Sequence, residues 1–216
     1  MSLTAKSTNT ETEPVPEGVH VGCCYLVSDL GHQLSEKYGT EKRAVVIGFE
    51  LPEIRITVER DGQPKDLPRA ASRRFTLSLG EKAELRKFLQ SWRGKSFTEQ
   101  ELQGFDLKNL LGAPALVQIV HEHKPDGRTV ARIVSVMALP KGTPRPKPEN
   151  EPQWFSFEEC DPTKPFTFPA NLPEWIVKTL EQSREWKGRS AAASAPASTS
   201  APAAVDAVED EEPLPF

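Results

Sequence analysis

The chain has 216 residues, with 27 Lys and Arg against 31 Asp and Glu, 20 prolines and a hydrophobic share of 37%. That length suits one domain with appendages or two small ones, and the apolar share falls below the ~45–50% of a compact globular chain, so part of the sequence reads as linker. No apolar run approaches the ~20 residues that span a bilayer, residues 1–17 lack the apolar core of a signal peptide, and Cys23, Cys24 and Cys160 give neither a disulfide framework nor metal-ligand spacing. Membrane, secreted and fibrous classes are excluded on this reading, and a reducing cytoplasm is the expected setting.

Residues 1–17, rich in Thr, Ser, Glu and Pro, read as a disordered N-terminal arm. A strand over 19–27 follows, ended by the turn-like Ser28-Asp29-Leu30-Gly31. Over 44–51, Val45, Ile47, Phe49 and Leu51 alternate with Ala44, Val46, Gly48 and Glu50, the period of a half-buried strand, which Pro52 is expected to stop. Residues 55–58 extend a hairpin around the turn dipeptide Asp61-Gly62, and 73–79 alternates again through Phe75, Leu77 and Leu79. Leu85, Phe88, Leu89 and Trp92 recur at helical spacing over 82–92, with Ser78 and Glu81 as a capping box and Gly94 as the stop. Residues 97–111 read as a shorter helix or two turns. Strands over 115–120 and 129–137 close the series around a Pro125-Asp126-Gly127 loop.

Three strands, a helix and two strands is the order of a five-stranded OB barrel, so the expected fold is mainly β with one or two helices, the OB-fold barrel occupying 18–142. The 143–189 segment holds a polyproline-like linker, an aromatic stretch (Trp154, Phe155, Phe157, Phe166, Phe168) and a short helix opened by Pro173, with Trp175, Ile176, Thr179 and Leu180 as its apolar stripe. It is too small to fold alone and is expected to pack on the barrel or on a partner. The aromatics suit core cover, an oligomer seam or a stacking shelf. Residues 190–216 read as a disordered Ala/Ser/Pro linker and acidic tip.

Charge is unevenly spread. Residues 19–147 carry 21 basic against 15 acidic groups, while the last 26 residues carry five acids and no base. A +6 body beside a −5 tail points to a polyanion partner, and the tail is complementary enough to fold back on the body when that partner is absent. No phosphate-cradling glycine loop, nucleophile elbow or cysteine pair for a metal occurs, so neither enzymatic activity nor a cofactor is expected. His121 and His123 flank Glu122, which gives two ligands without a third.

The most specific feature is the last eight residues, Glu209-Asp210-Glu211-Glu212-Pro213-Leu214-Pro215-Phe216. Acids steer an encounter, a terminal ring fills a pocket and a basic group of the partner takes the carboxylate. This tip resembles that of bacterial and phage single-stranded DNA-binding proteins, in which acids precede Ile-Pro-Phe; Leu214 stands where that family has Ile, and Pro213 is a departure. In the body, the stretches from Tyr38-Gly39 to Leu51-Pro52, Phe75-Thr76-Leu77-Ser78-Leu79, Ser91-Trp92-Arg93-Gly94-Lys95 and Phe105-Asp106-Leu107 resemble phage-encoded proteins of replication and recombination. The resemblance implies an OB-fold that coats single-stranded DNA in the host cytoplasm during replication, recombination or repair. It also implies a tip (Asp210, Glu211, Glu212, Leu214, Pro215, Phe216) that brings partner enzymes, and a possible homo-oligomer.

The body's motifs are not those of the bacterial DNA-binding domain, so groove residues follow from chemistry alone. Single strands need cations along the backbone path and rings for stacking, on a surface across strands two and three rimmed by the one–two and four–five loops. The candidate cations are Lys37, Lys42, Arg43, Arg55, Arg69, Arg73 and Arg74, with Lys124 and Arg128 in the four–five loop and Arg132 on strand five. Tyr25 and Tyr38 are the first candidates for stacking. Phe75 is a further candidate, although its phase with aliphatic neighbours favours the core. The alternative function is a non-catalytic adaptor whose barrel binds another protein and no nucleic acid.

Overall fold

In the computed structural model the chain is described over residues 13–35, 39–60, 62–161, 164 and 167–188. The alternating segments form one six-stranded sheet. β1 (Gly18–Ser35), β2 (Thr40–Arg60), β3 (Gln63–Thr76), β4 (Pro114–His123) and β5 (Thr129–Met137) lie in the order β3-β2-β1-β4-β5, all neighbours antiparallel. β6 (Gln153–Phe155), which sequence periodicity did not reveal, runs parallel to β1 from Leu26↔Gln153 to Ser28↔Phe155. Along that edge of β1, β4 pairs with Gly18–Cys23 and β6 with Leu26–Ser28.

The sheet is mainly β as expected, but among the described residues it is open and no barrel closes. β3 and β5 form its two edges without backbone pairing between them. In place of a ladder, the Arg73 guanidinium of β3 donates to the Ile133 carbonyl (3.2 Å) and the Val134 carbonyl (3.0 Å) of β5, and Ser91 donates to Val136 O at 2.7 Å. These side chains satisfy edge carbonyls that would otherwise remain open for pairing.

Two strand ends expected from turn chemistry prove to be irregularities within longer strands. At Ser28–Gly31 the Asp29 carboxylate accepts the Gly31 N–H (2.9 Å), Gly31 adopts φ +68°, and β1 continues to Ser35 through a register shift. A Cβ at Gly31 would lie 2.8 Å from Ser183 Cβ and 2.9 Å from Phe157, so this bulge also receives the C-terminal segment at close approach. Pro52 does not stop β2 either. The register jumps between Leu51 and Arg55, absorbing a residue that cannot donate, and the hairpin runs on to Arg60↔Gln63, with Gly62 at φ +72° and Asp61 outside the described residues.

Helix α1 (Glu84–Arg93) buries Leu85, Phe88, Leu89 and Trp92 and ends on Gly94 at φ +65°, as their spacing foretold. Its capping box does not form: Ser78 Oγ accepts the Gly80 N–H at 3.2 Å, and Ala83 precedes the helix with no side-chain cap. The box instead opens α2 (Glu99–Gln103), where Thr98 and Glu101 exchange reciprocal bonds. A 3-10 turn over Leu107–Leu110 leads into β4.

The alternation on β2 sorts two cores. Val45, Ile47, Phe49 and Leu51 face α1, where Phe49 and Trp92 meet edge to face at 5.0 Å and Phe75 lies 4.6 Å from Phe88. Ala44 and Val46 face the other way, onto Phe155, Leu172, Ile176 and Leu180 of the C-terminal segment, whose helix α3 spans Glu174–Glu181. Each large side chain fully buried in this way contributes about 1.5–3 kcal/mol. Phe155 packs edge-on against Phe157 (5.0 Å) and Phe168 (5.5 Å), so these aromatics cover a core; Phe166 lies outside the described residues. Trp175, expected in the apolar stripe of α3, is exposed. Among the described residues no helix is long and apolar enough to cross a membrane.

Candidate nucleic-acid interface

The described residues between 149 and 188 cover the outer face of β1 and β2, part of the surface expected to take nucleic acid. Glu50, fully buried on that face, accepts the Glu149 N–H (2.6 Å), the Asn150 N–H (2.9 Å) and the Asn150 side-chain amide. Arg43 donates to Asp29 (2.6 Å) and Glu158 (2.6 Å), joining β1, β2 and the 3-10 turn after β6. The first of these bonds, with Asp29, dominates in raising the guanidinium pKa further. At the bulge, Glu185 accepts from the His32 backbone N–H (2.8 Å) and pairs with its imidazole. Burial acting alone would raise the Glu185 carboxyl, but the His32 bonds hold it below its ordinary value.

These contacts reassign most of the candidate site. Tyr25 is buried under the C-terminal segment, and burial pushes its phenol up to about 12, so it offers no face for stacking. Phe75 is 3% exposed in the α1 core. Arg43 is a cross-link. Arg55 is held by Asp66 (2.8 Å) and Glu149, and Arg69 donates to the Glu13 and Pro14 carbonyls, fastening the N-terminal arm. Arg73 bridges the open sheet, reaches Glu84 at 2.9 Å and lies over the Phe75 ring at 5.0 Å. Lys124 and Arg132 share Glu122, whose carboxyl they lower, and Arg128 is tied to Asp126. A guanidinium already in a two-carboxylate or carbonyl clamp must exchange that partner before it can meet a phosphate.

Two of the candidates remain exposed and without a partner among the described residues: Lys42 on β2 and Arg74 on β3. They line one groove of about 820 Å³ together with Lys82, which precedes α1. Gln33, Leu34, Thr76, Ser78 and the edge of the buried Phe75 are among the other lining residues; Leu34 is 64% exposed, an apolar surface beside three cations. Among the described residues Glu81 and Glu84 are the only carboxylates lining this groove, and Glu84 is engaged by Arg73. Gln33 and Lys42 are cross-strand partners at the base of the β1–β2 connection, which carries Lys37 and Tyr38; those two lie outside the described residues, as do all six tip residues.

Lys82 escaped the sequence reading because the helical spacing drew it into α1. Leu34 escaped because the turn signal at Gly31 ended the strand too early. His121 lies 2.9 Å from the Val15 carbonyl and His123 3.0 Å from Thr129 Oγ1, and among the described residues no group of three metal-ligating side chains forms. Compared with protein-family models, curated proteins and solved structures, the chain matches none of them.

Proposed function

We propose that the chain binds single-stranded DNA with little sequence preference, through the Lys42–Arg74–Lys82 groove. The carrying observation is the set of three cations around one groove, without partners among the described residues, in a body where most other candidate cations are clamped. Cations in a groove neutralise phosphates and release counterions, and an exposed apolar side chain such as Leu34 gives a base a surface to lie on. The strand order β3-β2-β1-β4-β5 with a helix between β3 and β4 supports an OB-type body, opened along β3 and β5. On this reading the acidic Pro-Phe tip brings replication or repair enzymes to the coated strand in a phage-infected cytoplasm, and the protein performs no catalysis.

Anisotropy of labelled oligo-dT titrated with the full-length chain, at low and moderate salt and against a duplex, tests this. Salt-sensitive binding that favours the single strand is expected. Equal or absent binding, repeated without residues 206–216, overturns it in favour of the adaptor. That second reading has an observation of its own, since the chain's C-terminal segment covers the outer face of β1 and β2.

A further inference from the structure

Beside Arg43, between the α1-side core and the first residues of the cover, a second cleft of about 460 Å³ opens where β1 passes from β4 to β6. Its floor is Val27 and Val45, and Leu77, Phe105, Leu107 and Trp154 form apolar walls. This is the end of the α1-side core, where the sheet, the link between α2 and the 3-10 turn, and β6 fail to close over one another. Its size falls within the ~300–1,000 Å³ of ligand pockets, and it has their make-up, an apolar body with a few convergent polar groups.

The polar groups at its mouth are mostly of one sign. Asp29, Asp106, Glu158 and Glu159 line it with Arg43 as the single lining cation among the described residues, and Lys108 stands beside it on Glu159 at 3.2 Å. Two cations against four carboxylates leave a surplus of negative charge. Asp29 is buried on Arg43; Glu158, also on Arg43, and Glu159, on Lys108 and Trp154, are exposed, as is Asp106. The Trp154 indole N–H, ahead of Lys108, keeps the Glu159 carboxyl below its ordinary value. Such a field repels a phosphate backbone and also the chain's acidic C-terminus, and it attracts a cation.

We propose that this cleft docks a basic, apolar segment of a partner protein: an aliphatic or aromatic side chain enters against Phe105 and Trp154 while a flanking Lys or Arg meets Asp106 and Glu158. The docking surface is separate from the Lys42–Arg74–Lys82 groove, shares no lining residue with it, and has the opposite sign.

The probe is the peptide Ac-Lys-Phe-Leu-Lys-NH2, titrated into the ¹⁵N-labelled full-length chain, with its Ser and Glu counterparts in parallel. The expected result is shifts centred on Gly104, Phe105, Leu107 and the Trp154 indole for the basic peptide, weaker ones for the Ser peptide and none for the Glu peptide. Gly104→Leu plugs the cleft at little cost to the fold: its φ of −175° is ordinary extended backbone and nothing lies within 4 Å of the added Cβ. It should abolish the response while leaving oligo-dT binding unchanged. Glu158→Lys, on the rim, should weaken the basic peptide by about three- to tenfold. A flat response to the basic peptide, equal responses to the acidic one, or a response that survives the plug overturns the proposal.

Discussion

Seven cations of this chain fall into two regions with different work. Around the C-terminal cover and the open edges of the sheet, Arg43, Arg55, Arg69 and Arg73 hold two or more groups each. Around the β1–β2 connection, Lys42, Arg74 and Lys82 hold none among the described residues. Adjacent positions on β3 make the contrast sharpest. Arg73 points under the sheet to β5, and Arg74, one residue on, points out into the groove, because successive side chains of a strand face opposite ways. A basic composition therefore says little about binding until each cation's partners are known; here most of the candidate cations are internal fastenings.

The hardest test of the cover is to hollow it. Leu180 is fully buried between α3 and the outer face of β1–β2. Leu180→Ala should cost about 2–5 kcal/mol, read by chemical denaturation, with hydrogen exchange accelerating first over 149–188. A loss under about 1 kcal/mol would mean that the segment is not part of the cooperative unit, and the contrast between regions would collapse.

Next in size is the paired comparison on β3. Arg73→Ala should destabilise the fold by about 2 kcal/mol, since it strips two β5 carbonyls and Glu84 of a charged donor. Arg74→Ala should leave the melting temperature where it is and weaken oligo-dT binding. The reverse pattern, with Arg74 carrying stability and Arg73 carrying affinity, would exchange the two regions.

Legibility in the sequence followed range. Elements fixed by local periodicity were readable: the alternation on β2, the four-residue apolar stripe of α1 with Gly94 as its stop, and the β2–β3 hairpin at Gly62. Features that depend on a distant partner were not. Gly31 carries a turn signal, yet it sits in a bulge of a continuing strand against which Ser183 and Glu185 pack from the far end of the described chain. Glu50 alternates as a solvent-facing residue and is buried by the N–H groups of 149 and 150. At the candidate site, sequence chemistry brought Lys42 and Arg74 forward together with Arg43 and Arg73, but it could not separate the two pairs. That separation is made by Asp29, Glu158 and two carbonyls of β5.

A smaller effect sharpens the unclamped region. For single strands the salt dependence of affinity falls by about 0.7 in slope for each phosphate that the protein no longer neutralises. Replacing Lys42, Arg74 and Lys82 together by Ala should thus flatten the oligo-dT slope by about 2, while replacing Lys124 and Arg132, both on Glu122, should change it by less. Equal flattening by the two sets would show that ion pairing does not decide which cations meet the strand.

The smallest expected effect concerns acid and the latch at the bulge. Glu185 has a depressed carboxyl in the folded chain, so its contribution is complete above the ordinary value of 4.5 and is lost as pH falls through the lower folded value. Acidification from neutrality should leave the latch intact until below about pH 4.5, then loosen the contact of 183–185 with His32 before the α1-side core yields, because among the described residues that core is built from apolar side chains. Glu185→Gln keeps one acceptor for the His32 N–H and removes the titration, so its early acid limb should disappear. Hydrogen exchange at His32 and Gln33, followed from pH 6 to pH 3 in the parent and the variant, reads the difference. If both chains loosened over the same pH range, the carboxylate would not be the group that fastens this end of the cover, and the Glu50 clamp on 149–150 would be the contact to break instead.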